Sequence, residues 1–391
     1  MIMHPPGELP PPDRAALAHS RQLEDLLRRE IVAQGGAVGF DRFMNMALYA
    51  PGLGYYSAGA DKLGAAGDFV TAPEISPIFS RCLAAQCAEV LQHLGGGSIL
   101  ELGAGSGAMA CDVLLELAKH RQLPDAYLIL EVSADLRERQ QARVRTHVPD
   151  MAQRVHWLET MPVTPMRGVI LANEVLDALP VSRFRRRNGV CLDLMVSQHD
   201  NGFAWLEGGE RADLDPAIAE LLNSCPDHYT SEWNPALGAW VGAVATALEA
   251  GLILFLDYGY PRREFYHPQR TDGTLRCHYR HRAHSDPFLW PGLQDITAAV
   301  DFTAVADAAI TNDLMVRGFT TQAHFLIGCG LEQVAASLVD ADTRSRAVLS
   351  RHVQLLTLPA EMGEIIKVMA LTRDLTLPLS GFSGPDHRQR L

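Results

Sequence analysis

The chain lacks several features that would place it in a large protein class at once. Its seven cysteines (Cys82, Cys87, Cys111, Cys191, Cys225, Cys277, Cys329) are odd in number, scattered, and never form a Cys-x-x-Cys pair. That pattern argues against a disulfide framework or a zinc ribbon and points to a reducing, cytoplasmic setting. No stretch approaches the ~18–20 uninterrupted apolar residues of a membrane span, and the opening MIMHPPGELPPPDRAA has no apolar core of a secretory signal. Membrane insertion is not expected. Positive charge is scarce as well: the formal net charge is −12, whereas proteins that coat nucleic acid neutralise phosphates with Lys and Arg. Low complexity is missing too, since 47% of the 391 residues are hydrophobic and 20% charged, ordinary values for a folded chain.

What is present is an alternation. After a Pro-rich tail at 1–13 expected to be disordered, residues 14–34 carry Leu and Ile at helical spacing and end at Gly35-Gly36. The next stretch, FDRFMNMALYAPGLGYYSAGADKLGAAGDFVTAPEIS, is dense in Gly, Pro and aromatics and reads as a loop packed over something. Ser76 and Pro77 form an N-cap and first-turn pair for a helix over 76–94. From there the pattern predicts strand 98–102, helix 107–120, strand 126–132, helix 134–146, strands 154–158 and 168–173, and later strand 251–257. Short apolar strands alternating with helices imply an α/β fold with a doubly wound parallel sheet. Strand-like segments RFRRRNGVCLDLMV and GFAWLEGG interrupt the alternation, then a helical stretch runs to about 249. A helix near 302–310, a strand at 319–327 and a strand at 364–372 close the chain and bring the sheet strands to seven. The expected division is tail 1–13, N-terminal cap 14–97, core 98–180 and 250–391, and an inserted β/α segment 181–249 that serves substrate or partner.

The segment SILELGAGSGAMACDVL is a strand, then Gly103, Gly105 and Gly107, then a helix. Glycines at such a turn permit positive φ and let a ligand approach the backbone. Gly103, Gly105 and Ala108 also satisfy the dinucleotide fingerprint G-x-G-x-x-G/A, so the loop alone serves a methyl donor or NAD. Glu101, two residues before the first glycine, stands where methyltransferases commonly carry an acid that helps hold the cationic aminoacyl end of S-adenosylmethionine. Glu131, ending the next strand, is placed for both ribose hydroxyls of either cofactor. No Ser/Tyr-x-x-x-Lys or other hydride-transfer constellation accompanies the loop, which disfavours an oxidoreductase.

In open α/β sheets, ligands bind beyond the carboxyl ends of the strands. The fourth strand ends in LANEVLDALP, which makes Asn173, Glu174 and Asp177 candidate catalytic groups, Asp177 being equally a helix-capping acid. Methyl transfer is an in-line displacement, so the protein chiefly aligns the nucleophile and handles its proton. A carboxylate such as Glu174 can orient a guanidinium or amine. The run Arg276 to His284 sets His278, His281 and His284 at three-residue spacing, but its neighbouring arginines oppose a cation, and no metal is expected. Arg280 and His281 are candidate substrate contacts. RFRRRNG reads as a solvated hairpin or a contact for an acidic partner.

Taken together, YAPGLGYYS, GDFVTAPEIS, ELGAGSG, LEVSADLRERQ, ANEVLDALPV, LDYGY, GTLRCHYRHRAHSDPF and QDITAAVDF resemble the MidA-like family of class I methyltransferases. That family includes a mitochondrial arginine methyltransferase of complex I assembly. The resemblance spans nearly the whole chain and implies a Rossmann-like sheet of seven strands whose final pair forms an antiparallel edge, S-adenosylmethionine as cofactor, and a protein arginine as acceptor. It also implies that Asp68, Phe69, Thr71 and Pro73 line the cofactor and that Glu74 faces the acceptor, although Thr71 to Glu74 alternatively reads as a capping box. Ala104 and His278 depart from the family's usual Pro and Tyr. Small-molecule methylation and a non-catalytic assembly role remain open, as do a monomer and a homodimer.

Overall fold

The computed structural model describes residues 3–5, 8–58, 71–200, 202–211, 214–338 and 343–391, with the backbone alone at 343 and 344. They form two compact units. The first comprises Met1–Phe69, Asp177–Leu237 and Tyr260–Asp301; the second comprises Val70–Leu176, Gly238–Gly259 and Phe302–Leu391.

The second unit is built on seven strands: β1 (Ser98–Leu102), β2 (Tyr127–Leu130), β3 (Val155–Leu158), β4 (Met166–Asn173), β5 (Leu248–Tyr260), β6 (Met315–Thr321) and β7 (Ile366–Arg373). They lie in the order β3-β2-β1-β4-β5-β7-β6. Strands β1 to β5 pair in parallel, and β7 runs antiparallel to both β5 and β6. The edge pair foreseen from the sequence is thus one reversed strand, β7, set between β5 and β6, which run the same way. Parallel strands covered on both faces need continuous apolar runs. Val169 to Ala172 in β4 and Leu252 to Leu256 in β5 are all 0% exposed.

The covering helices follow from local signals. Ser76 Oγ accepts from Ile78 N at 3.3 Å, Pro77 opens the helix Pro77–Leu94, and Gly95 ends it at φ +72°. Helix Ala108–Lys119 starts directly after Gly107 and buries Val113, Leu114 and Leu117 completely. Burying each of these aliphatic side chains contributes roughly 1.5–3 kcal/mol over leaving it exposed. Ser133 caps helix Ala134–His147 by accepting from Leu136 N.

The first unit is mostly antiparallel. Its five-stranded sheet joins Ala37–Gly39, Val190–His199, Ser182–Arg187, Thr230–Trp233 and Gly202–Glu210, and a three-stranded sheet joins Arg282–His284, Arg276–Tyr279 and Asp295–Thr297. Asn188 and Gly189, at φ +51° and +84°, make the two-residue turn of the arginine-rich hairpin. Helix Arg14–Ala33 buries Leu23, Leu27 and Ile31 in this unit's core, next to an aromatic cluster of Phe40, Phe43, Phe203, Trp205 and Phe288.

Two expectations are corrected. The aromatic loop contains a helix, Phe40–Tyr49, because Phe40, Phe43, Met44, Ala47 and Leu48 recur at the helical period and all are buried. The strand expected at 319–327 stops at Thr321, whose hydroxyl accepts from His324 N at 3.3 Å and starts the helix Gln322–Gly328; Phe325 and Leu326 are buried from that helix. In the described part of the tail, Leu9 is 6% exposed and His4 N donates to Ala283 O at 2.8 Å.

Candidate functional site

The strand order reverses between β1 and β4, so their carboxyl ends lie side by side, where doubly wound sheets take their ligands. The glycine loop leaves β1 with Gly103, Gly105 and Gly107 at φ +65°, +54° and +79°. At Gly107 the reason for glycine is double: the backbone is left-handed, and a Cβ would stand 3.3–3.4 Å from Gln140 Cγ and Cα.

Two buried carboxylates flank the loop. Glu101, in β1, is 1% exposed and accepts from Tyr127 Oη at 2.6 Å. Burial pushes its carboxyl up to about 7, with the Tyr127 hydrogen bond working against that rise and the Glu131 charge adding to it. Glu131, after β2, is 5% exposed; its Oε1 accepts from Ser133 N at 2.9 Å and its Oε2 from Gln140 Nε2 at 3.0 Å. Burial raises its carboxyl as well.

The segment before the helix Pro77–Leu94 reaches the same loop. Thr71 makes no side-chain cap, so the alternative of a capping box is not formed. Glu74 Oε1 accepts from Ser106 Oγ in the glycine loop and lies 3.5 Å from Arg143 Nη1. The Arg143 guanidinium also donates to Ser106 Oγ. Pro73 sits half-buried within the short helix Ala72–Ile75. Asp68 and Phe69 lie outside the described residues.

At the end of β4, Glu174 takes φ +52°, an uncommon conformation for a residue with a side chain. It is held there because its N–H donates to Leu256 O at 2.8 Å while Asp257 Oδ2 accepts from Val175 N at 3.0 Å and Leu176 N at 2.8 Å. Its Oε1 accepts from Asn173 Nδ2 at 3.2 Å and from Ala72 N at 3.4 Å. Asn173 is 8% exposed, and its Oδ1 is buried with no hydrogen-bond partner among the described residues. Asp257 and Gln140 are polar groups at this site that the sequence reading left without a role. The strand-end position of the first, in LDYGY, and the helical offset of the second, in LEVSADLRERQ, were the available signals.

The remaining candidates belong to the first unit. Asp177 is 8% exposed and its carbonyl accepts from Ala298 N at 2.9 Å. Arg280 and His281 form the exposed two-residue turn between Arg276–Tyr279 and Arg282–His284, at φ +47° and +60°, with the Arg280 guanidinium 5.2 Å from the Tyr279 ring. His278 pairs with Ala283 and His284 with Cys277, so the three histidines are spread along a hairpin. Burial pushes His278 down to about 4. Among the described residues no group of three or more His, Cys, Asp or Glu is placed to hold a metal. Burial lifts Cys82, Cys87 and Cys111 to about 12, so none is a thiolate at neutral pH.

A family model described as "Putative S-adenosyl-L-methionine-dependent methyltransferase" matches residues 82–320. The chain belongs to this methyltransferase family. A protein from Burkholderia thailandensis crystallised with S-adenosyl-homocysteine bound is 40% identical, with a TM-score of 0.93, covering 98% of this chain and 100% of that one. A native structure from the same organism is 39% identical, with a TM-score of 0.90 and the same coverage. The mitochondrial protein arginine methyltransferase NDUFAF7 homolog of Drosophila melanogaster is 28% identical over 94% of this chain and 89% of its own length. The Danio rerio mitochondrial protein arginine methyltransferase NDUFAF7 is 27% identical over 91% of each. The methyltransferase is S-adenosylmethionine-dependent, on the α/β sheet that the sequence implied.

Proposed function

We propose that this methyltransferase acts on an arginine side chain of a protein, with Glu174 as the group that holds the acceptor nitrogen. The observation that carries the reading is the left-handed Glu174 at the end of β4, its carboxylate steadied by Asn173 and Ala72. The names of the Drosophila and Danio relatives, which align along nearly the whole chain, support the choice of arginine.

The residues present suit the cofactor. A carboxylate as buried as Glu101, with its ionised form disfavoured, is satisfied by a cationic ammonium group. Glu131 offers two oxygens to ribose hydroxyls, and the positive-φ glycines let a ligand approach the loop backbone. Asn173 Oδ1, without a partner among the described residues, is an acceptor for a bound group. When bound, S-adenosylmethionine supplies an electrophilic methyl group on a cationic sulfur. Arginine is protonated at neutral pH, with a pKa above about 12. Glu174 therefore acts by pairing with the guanidinium, localising the lone pair of one nitrogen, and taking the proton as that nitrogen is alkylated.

The test is transfer of radiolabelled methyl from S-adenosylmethionine to cell protein, followed by hydrolysis and amino-acid analysis. Label in methylated arginine, lost in Glu174→Gln, is expected. Label confined to small molecules sinks the protein-arginine reading. No transfer by a protein that still binds S-adenosyl-homocysteine favours an assembly role. We further propose a cytoplasmic location: all seven cysteines are free, as in a reducing compartment. Cell fractionation tests this.

A further inference from the structure

We infer that Gln140 is a positioning residue for the cofactor site, fixing the Glu131 carboxylate and the glycine loop to one another, with its own orientation set by Trp157. The inference rests on the proposed contact between Glu131 and the cofactor ribose.

Gln140 is 0% exposed and lies on helix Ala134–His147. Its Oε1 accepts from Trp157 Nε1 at 2.9 Å, and its Nε2 donates to Gly105 O at 2.9 Å and to Glu131 Oε2 at 3.0 Å. An indole nitrogen can only donate, so the amide must turn its oxygen towards Trp157. Both amide hydrogens are then committed, one to the middle glycine of the loop and one to the acid at the end of β2. Because Ser133 N donates to the other oxygen of Glu131, the carboxylate is gripped at both ends. Gly107 packs against the Gln140 stem, where a Cβ would stand 3.3–3.4 Å from Gln140 Cγ and Cα, and its φ of +79° favours glycine. The carbonyl of the loop's middle glycine is thus held by a side chain of the helix Ala134–His147. Loss of Gln140 frees the loop carbonyl and leaves a buried carboxylate with one donor fewer, which is costly in a low-dielectric site.

The experiment is a double-mutant cycle on S-adenosyl-homocysteine binding, read by titration calorimetry on Gln140→Met, Glu131→Gln and the pair. Gln140→Met is expected to weaken binding by about 10- to 100-fold. In the Glu131→Gln background its cost should shrink by at least about threefold, to the part carried through Gly105 O, because the carboxylate it positions is already gone. A general folding defect would instead weaken binding equally in both backgrounds. Trp157→Phe removes the donor that orients the amide, together with the second ring of the indole, and keeps the test alive if Gln140→Met does not fold. Its cost, about two- to tenfold, should likewise shrink beside Glu131→Gln. Additive losses, or full affinity in both single variants, overturn the inference. If Glu131→Gln alone binds as the wild type does, the ribose assignment of Glu131 falls, and the inference with it.

Discussion

The carboxylates at the ends of β1 and β2 are buried by the sheet, whereas the one after β4 is aimed by a strained backbone. Glu101 and Glu131 are 1% and 5% exposed and have raised carboxyls. Glu174 is partly exposed at φ +52°. Burial imposes a desolvation cost that a fixed cation or set of donors can offset. A left-handed non-glycine residue costs about 1–3 kcal/mol and persists only where its neighbours over-determine it. Here those neighbours are Leu256 and Asp257, through three backbone N–H groups. Under the proposed assignment the contrast separates two tasks: a β1–β2 side preset for a constant ligand, and a β4 side holding one carboxylate for a group that changes protonation.

The largest expected effect divides those tasks. Glu174→Gln keeps shape and removes charge, so methyl transfer should fall by about 10²- to 10⁴-fold, while affinity for S-adenosyl-homocysteine changes less than about twofold. Single-turnover kinetics and calorimetry read the two quantities. A variant that loses cofactor affinity instead would break the comparison, because Glu174 would then belong with Glu101 and Glu131.

Next is the pH dependence on the β1 side. Glu101 must be ionised to pair with an ammonium, and burial holds its carboxyl up at about 7 in the unliganded protein. Affinity for S-adenosyl-homocysteine should therefore rise with pH up to about 7 and then level, with a limiting slope of about tenfold per pH unit. Glu101→Gln should bind weakly and lose that slope. Stability of the unliganded protein moves the other way. A carboxyl raised from 4.5 to about 7 holds its proton in the fold, so this group's contribution to stability falls as pH climbs between those values. Thermal melts of wild type against Glu101→Gln show whether that component is present.

A smaller effect tests the support of the β4 turn. Asp257 is 0% exposed and accepts from Val175, Leu176 and Tyr258 N–H groups. Asp257→Asn puts an amide where an acceptor-only group is required, at a cost of about 1–3 kcal/mol in stability. If Glu174 depends on that brace, transfer should drop more than cofactor affinity does. Equal losses would mean that the turn is simply unfolding.

The second unit was far more legible in the sequence than the first, for a physical reason. Buried parallel strands and their helices are written in local apolar runs, caps and glycines, so β1 to β5 and the helix starts at Pro77 and Ala108 could be read within a few residues. The roles of Gln140 and Asp257 were not legible, because each depends on a partner across the fold. In the first unit, antiparallel pairing joins distant segments, such as Ala37–Gly39 with Val190–His199, and no local signal announces it. The helix Phe40–Tyr49 was legible by period but masked by the Gly- and Pro-rich residues that follow it. Asp177 illustrates the limit of proximity in sequence: three residues beyond Glu174, it falls in the other unit.

The smallest expected effect serves as the contrast to all these carboxylates. On the arginine-rich hairpin, Arg187 Nη1 donates to Glu207 Oε2 at 2.6 Å and Arg185 Nη1 to its Oε1 at 3.2 Å. The hydrogen bond from Arg187 is the main reason the Glu207 carboxyl lies below its usual range. Arg187 is half exposed, its side chain retaining 51% of its accessible surface. Exposed ion pairs of this kind are screened by water and salt, and they give up side-chain entropy to form. Arg187→Ala should therefore leave the melting temperature within about 1 °C and cofactor affinity unchanged. Its effect on transfer then separates the hairpin's two readings. Unchanged turnover of a protein acceptor marks a solvated hairpin. A salt-sensitive rise in KM at constant kcat would instead show that these arginines meet an acidic stretch of the acceptor.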